Sequence, residues 1–509
     1  MSKIEAFKAQ ITEGYQFSGD SIELGGAIFE GNVVPNCTVK IPLKTMNRHG
    51  LIAGATGSGK TKTLQVLAEQ LSMKGTPVLL MDIKGDLSGI AVAGASNPKI
   101  TERHQKIGIS YQTAANSVDF LTISSEKGAR LRATVTEFGP VLFSKILSLN
   151  DTQSSIVSVV FKYCDDNALP LLDLMDFKKV LNYFINEGKD ELKGDYGNIS
   201  PMSIGTILRR VIELEQQGAE TFFGEMSFDV ADLCRLDDEG KGIISVIRLT
   251  DIQDKPKLFS TFMLQLLAEI YATFPEEGDV EQPKLCVFID EAHLVFNEAS
   301  KALLNQIESI IKLIRSKGVG IYFCTQNPQD IPDAVLSQLG MKMQHALRAF
   351  TAKDRQNIRL VAQNYPITEN YDVENLLTQL GIGEAFVTVL DEKGIPTPLV
   401  QTMLRAPQSR MDILTANEIE GIVSASEIVK KYNEVINRES AYEILTNKIA
   451  GATGGSVPSA SGKPAKEEPG MMEKVLKSSV AKQVGTTLVR ELTRGLLGAL
   501  GLGGRKKIW

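Results

Sequence analysis

The sequence predicts an α/β protein built on a mainly parallel sheet. Three stretches predict it. "LIAGATGSGKTKTLQVLAEQLSMKGTPVLLMDIKGD" reads as strand, glycine-rich loop, helix and strand, and both strands are almost continuously apolar. That pattern belongs to a right-handed βαβ unit whose sheet is covered on both faces. Farther on, "KLCVFIDEAH" and "VGIYFCTQ" are two more buried strands, each ending in polar residues. The chain has 509 residues, 43% hydrophobic and 23% charged, which suits a soluble globular protein with two or three cores.

In chain order, residues 1–48 read as a small N-terminal β element, with "IELGGAIFEGNVVPNCTVKIPL" broken into short alternating runs by Gly, Asn and Pro. Residues 49–124 form the first part of the core. Its helix carries Leu64, Leu67, Ala68 and Leu71 on one face and ends near Gly75. Its second strand ends at Asp82. The stretch from there to Asp290 is too long for one crossover, and its periodicity is helical, so residues 125–235 read as a mainly helical insertion. Residues 236–450 resume the core with "GIISVIRLTDI" as a strand, "NQIESIIKLIRSKG" as an amphipathic helix, two strands around the turn in "EAFVTVLDEKGIPTPLVQTML", and C-terminal helices. Residues 451–470, "GATGGSVPSASGKPAKEEPG", read as a flexible linker. Residues 471–509 read as a tail helix with Val475, Leu476, Val480, Val484, Leu488 and Leu492 at helical spacing before a basic end. Such a helix docks on another subunit or lies on a membrane.

Composition excludes several classes. The net charge of -6 is opposite to that of a general nucleic-acid coat, so any nucleic acid must meet a local basic surface. Five cysteines (Cys37, Cys164, Cys234, Cys286, Cys324) stand singly, without CxxC pairs or zinc-ligand spacing. No signal peptide and no run of eighteen apolar residues is present, so no integral membrane segment is expected, and the cytoplasm is the expected location.

The chemistry concentrates at three strand ends. Gly54, Ala55, Thr56, Gly57, Ser58, Gly59, Lys60 and Thr61 match the P-loop pattern in full, and Lys62 follows at the start of the helix. Glycines let the backbone N–H groups curl around phosphate oxygens, and the helix aims its positive end at them. Lys60 then reaches the β- and γ-phosphates of ATP, and the Thr61 hydroxyl binds Mg2+. Asp290 closes a buried strand and can hold Mg2+ through its water shell. Glu291 is placed to polarise the attacking water. A plain surface pair capping the next helix is the alternative for these two. His293 either relays state to a neighbour or starts that helix. Gln326 either senses the γ-phosphate or merely ends its strand before Pro328.

Together, "GLIAGATGSGKTKT", "LLMDIKGDLSGIA", "FIDEAHLVF" and "RSKGVGIYFCTQNPQDIP" resemble the RecA-like HerA/FtsK group of P-loop ATPases. The nearest resemblance is to a bacterial HerA-like family carrying the helicase HerA-like C-terminal domain, over roughly residues 20–445. The resemblance implies a RecA-like core, ATP hydrolysis with Mg2+, and a homo-oligomeric ring of six. It implies an arginine acting in trans on the neighbour's nucleotide, for which Arg315 matches; Arg348 and Arg355 rank lower, and Arg315 also suits a helix C-terminus. Arg48 and His49 are candidates for approaching the nucleotide or a neighbouring subunit. It further implies a DNA translocase or helicase, with "KGDLSGIAVAGASNPK" and the segment from Asn327 to Lys342 as pore loops, and Lys84, Lys99 and Lys342 as the available cations. The alternative is a ring ATPase that remodels or moves a protein partner, at a membrane or elsewhere. A β-barrel ahead of the motor, full in HerA proper, would be reduced to fewer than about fifty residues here.

Overall fold

The computed structural model describes residues 2–278, 280–296, 301–434, 436 and 438–452. Two compact units emerge. The first comprises residues up to Leu131, Asp229–Leu267 and Phe274–Asn433, and the second comprises Arg132–Phe228, Ala268–Thr273 and the segment beginning at Glu434.

The first unit holds one sheet. Its strands are β1 (Ser21–Phe29), β2 (Asn32–Pro42), β3 (Gly50–Ala53), β4 (Val78–Asp82), β5 (Val118–Thr122), β6 (Ala129–Arg130), β7 (Ile244–Arg248), β8 (Leu285–Ile289), β9 (Val319–Thr325), β10 (Met341–Gln344), β11 (Glu384–Thr388) and β12 (Val400–Leu404). Their spatial order is β2-β1-β12-β11-β10-β3-β9-β8-β4-β7-β5-β6. From β10 to β6 every pairing is parallel. From β2 to β10 every pairing is antiparallel. The parallel half follows from side chains. β4, β8 and β9 are buried along their whole length, so only a sheet covered on both faces accommodates them. Helix Lys60–Met73 covers one face with Leu64, Leu67 and Leu71, in one cluster with Leu80, Phe288 and Tyr322.

Several expectations are corrected. The N-terminal segment does not stand apart as a small β element: β1 and β2 extend the core sheet through β12. A helix, Lys3–Gly14, precedes them, started by a capping box between Ser2 and Glu5. Strands β5 and β10 were not foreseen. Residues Gly451 and Ala452, assigned to the linker, close the helix Ala441–Ala452, while the rest of the linker and the tail helix lie outside the described residues.

The second unit is helical, with Val135–Ile146, Asp151–Asp166, Leu174–Ile185, Lys189–Asp195 and Pro201–Gln216. Its core is aromatic: Phe143 packs edge-on against Phe177 at 4.8 Å, and Phe138 meets Phe223 at 5.1 Å. The first helix kinks at Gly139, which has φ 64 ahead of Pro140. Among the described residues no helix is long and apolar enough to cross a membrane.

Candidate nucleotide site at the strand ends

The C-terminal ends of β3, β4, β8 and β9 adjoin in the sheet, where open α/β folds place their ligands. The loop after β3 is pinned to both neighbours: Gly54 N donates to Thr325 O at 3.2 Å and Ala55 N to Ala346 O at 2.8 Å. Gly54 takes φ 153, and a Cβ there would lie 2.5 Å from His345 Cβ. Gly59, at φ 112, leads into the helix with no side chain capping it, so the first-turn N–H groups remain open to an anion. Lys60 is buried, with Nζ 3.1 Å from Ala55 O. Burial lowers its pKa, a trend opposed by the nearby Glu291 and Asp290 carboxylates. Lys62, expected among the cofactor-binding residues, turns its ammonium to Met411 O and to Gln65 Oε1.

The turn after β4 was not recognised as part of this site. Asp82 accepts from Gly85 N at 2.7 Å, Asp86 N at 3.1 Å and Leu87 N at 3.2 Å, and so shapes the turn. Burial, reinforced by the Asp86 charge, pushes its carboxyl up to about 7. The turn delivers Asp86, whose Oδ2 accepts from Thr61 Oγ1 at 3.2 Å, and Lys84, which pairs with Glu291. Lys84 is thus a site residue, contrary to the expected pore-loop role. The signal was the charged "DIKGD" directly after a buried strand.

Glu291 adopts a left-handed φ of 46, an uncommon state for a side chain of its size. Its Oε2 lies 3.1 Å from His293 Nδ1, and its Oε1 accepts from Gln326 Nε2 at 3.4 Å. Burial alone would raise its pKa. Lys84, His293 and Gln326 outweigh that and hold the carboxyl below its usual range. Asp290 is buried beside the Glu291 charge and rises to about 6. Gln326 also accepts from Thr56 Oγ1 at 3.1 Å, so it joins the phosphate loop to the carboxylate.

Asp290 Oδ2 and Asp86 Oδ1 are buried without a hydrogen-bond partner. Two orphaned carboxylate oxygens, one on Asp290 and one on the Asp86 that accepts from Thr61, fit a divalent cation that takes few protein ligands and several waters. Among the described residues no group of three or more His, Cys, Asp or Glu side chains converges.

Arg315 lies elsewhere. It follows helix Lys301–Ile314 and precedes β9, at the opposite, N-terminal end of that central strand. There it lines a cavity of about 490 Å³ with Arg48, His49, Lys312 and Lys342. Arg48 and His49 therefore do not approach the chain's own nucleotide site. His49 is structural: Ile321 N donates to Nδ1 at 3.0 Å, and Nε2 lies 2.9 Å from Ile311 O. Lys342 is a β10 residue donating to Asn364 O at 3.1 Å, not a loop cation. Arg348 lines a cavity of about 530 Å³ with Ala55, Thr56 and Gln326.

The family model "Helicase HerA-like C-terminal" matches residues 30–467. The chain belongs to this family. Among relatives of this HerA-like chain, the DNA double-strand break repair helicase HerA of Saccharolobus solfataricus is 24% identical over 374 residues, covering 71% of this chain and 66% of that protein. The protein of the same name from Sulfolobus acidocaldarius is 21% identical over 378 residues, covering 73% and 67%. The HerA-like chain thus spans about two thirds of the length of these relatives. Among solved structures, the bacterial conjugative coupling protein TrwB, unbound, aligns with a TM-score of 0.49 and 13% identity, over 80% of this chain and 95% of that one.

Proposed function

We propose that this HerA-like protein is an ATP-hydrolysing motor that works as a ring and translocates on DNA. The observation that carries the catalytic part is the Thr56–Gln326–Glu291 connection, which ties the phosphate loop to a carboxylate at the end of β8. A lone glycine loop needs no such link, whereas a hydrolase must tell its base when a γ-phosphate is bound.

The loop N–H groups and the open helix end hold the phosphates, and Lys60 neutralises the β- and γ-oxygens. Thr61, with Asp86 and Asp290 behind it, would hold Mg2+, which supplies charge neutralisation on the phosphate oxygens. Glu291 accepts a proton from the attacking water as its oxygen bonds to the γ-phosphorus, and the bond to the bridging oxygen breaks to release ADP. Lys84 keeps Glu291 ionised and therefore able to take that proton. Arg315 cannot serve this step from the opposite end of the strands in its own sheet. Its place fits an arginine reaching a neighbouring copy, as does the cationic cavity around it.

The test is ATP hydrolysis by the full chain with and without single- and double-stranded DNA, beside Lys60→Ala, Glu291→Gln and Arg315→Ala, with mass photometry for assembly. Hydrolysis accelerated several-fold by DNA and abolished by the first two changes supports the motor. Hydrolysis blind to DNA but stimulated by a protein partner would replace translocation by protein remodelling. Unchanged activity in Lys60→Ala would overturn the site itself. For Arg315, mixing the variant with Glu291→Gln should restore partial activity, because each supplies what the other lacks.

A further inference from the structure

The P-loop helix carries a strap of chain that no motif announced. After β12 the backbone runs from Gln408 to Leu414 across helix Lys60–Met73. Side chains along one side of that helix hold it. Lys62 Nζ donates to Met411 O, and Gln65 Nε2 donates to Ser409 Oγ at 2.6 Å and Arg410 O at 3.0 Å. Buried Glu69 accepts from Gln408 N at 2.8 Å and Ser409 N at 2.9 Å. The segment after β4 grips the other edge, with Arg410 N donating to Val92 O at 2.9 Å and Leu414 N to Ser88 Oγ at 3.0 Å. The segment "KGDLSGIAVAGASNPK" is thereby occupied in holding the strap.

A second turn approaches the same loop. Gly383 N donates to Ser58 O at 3.0 Å. Arg103 fixes this turn by donating to Ile382 O at 2.9 Å, Gly383 O at 3.1 Å and Leu404 O at 2.9 Å. Yet these well-anchored segments leave apolar side chains in the open: Ile382 is 72% exposed, Ile413 57% and Met411 37%.

Direction decides what these side chains face. Glu291 and Gln326 mark the γ-phosphate end of the loop. Thr61, which takes Mg2+, stands beside the β- and γ-oxygens, and Lys62, next along the first helical turn, lies on the α-phosphate side. A nucleotide whose phosphates follow the loop projects its sugar and base from that end, and Lys62 touches the strap there. A flat aromatic base needs apolar, adaptable contacts, which a thioether and a branched alkyl chain supply.

We propose that the Gln408–Leu414 strap and the Ile382 turn form the base-binding ledge of the nucleotide site, with the purine resting on Met411 and Ile382. This rests on the reading of the P-loop as an ATP site. Lys62, Gln65 and Glu69 belong to the helix whose first turn faces the phosphates, so the same helix anchors ledge and phosphate cradle.

Calorimetric binding of ATP and of inorganic tripolyphosphate to the full chain with Mg2+ tests the ledge, using Met411→Asp, Ile382→Asp and the milder Met411→Ala. The wild type should bind ATP at least about tenfold more tightly than tripolyphosphate. Both Asp variants should erase that advantage, Met411→Ala should reduce it, and all three should keep wild-type affinity for tripolyphosphate. Equal affinity of the wild type for the two ligands, undiminished ATP affinity in the variants, or parallel loss of both ligands would each overturn the ledge. Failure of the wild type to bind either ligand would instead sink the ATP-site reading beneath it.

Discussion

Lys84 and Glu291 form an ion pair across the ends of β4 and β8, the lysine from a turn shaped by Asp82 and the carboxylate from a left-handed position. The pair unites two strand ends that adjoin in space but lie about two hundred residues apart in sequence.

Removing the lysine should therefore impair chemistry more than binding. In Lys84→Ala, kcat for ATP is expected to fall about 10- to 100-fold, the scale of a misplaced proton acceptor. ATP affinity should stay within about twofold, because the phosphate-binding groups are untouched. Steady-state kinetics paired with calorimetry separates the two.

The strained backbone at Glu291 makes a second expectation. Glu291→Gly should end hydrolysis yet be about 1 kcal/mol more stable than Glu291→Gln, since both lose the Lys84 ion pair and only glycine meets a left-handed φ without the steric penalty. Urea denaturation at neutral pH measures the change, and a variant less stable than Glu291→Gln would contradict it.

Buried His49 titrates in a direction that destabilises the fold in acid. Burial lowers its pKa to about 4, from an ordinary value near 6.5. The unfolded chain then takes a proton that the folded one refuses. Its contribution is complete above pH 6.5 and declines as pH falls toward 4. Buried Asp82 and Asp290, raised to about 7 and 6, work in the opposite sense, so the comparison must be internal. Between pH 7.5 and 5 the stability of the wild type relative to His49→Gln should drop by about 2 kcal/mol. A difference that does not vary with pH would show that His49 is not a buried neutral imidazole.

Glu69 offers a test of the strap's anchorage. Glu69→Ala leaves the Gln408 and Ser409 N–H groups without their acceptor and should cost about 2–3 kcal/mol of stability. Glu69→Gln, which keeps a carbonyl acceptor, should recover part of it in the same denaturation experiment.

Much of this was legible in the chain. Strands β3, β4, β8 and β9 announced themselves because continuous apolar runs have no other place than a doubly covered sheet. The P-loop and the Asp290–Glu291 pair followed as local patterns. β10 and β5 did not, because Lys342 and Asp119 interrupt their apolar runs, so their identity as strands comes from neighbours rather than from their own periodicity. The helix Lys3–Gly14 was readable from Ser2 and Glu5, a capping pair easily lost among polar residues. Lys84 and Asp86 acquire their roles only when the β4 turn comes to rest beside β8 and Thr61, a juxtaposition that spacing along the chain does not reveal. The His49 tie to Ile321 is of the same kind.

The pairing of β1 with β12 carries a consequence for biosynthesis. Gly25 is matched with Leu404, so the partner edge of β1 emerges from the ribosome about 380 residues after β1 itself. At about 5–20 residues per second, that leaves the β1 edge of the N-terminal hairpin without its mate for about 20–75 s. An unpaired strand edge is a template for the wrong neighbour. Every nascent molecule must therefore guard that edge until β12 is made, and slow codons between the two strands would lengthen the exposure.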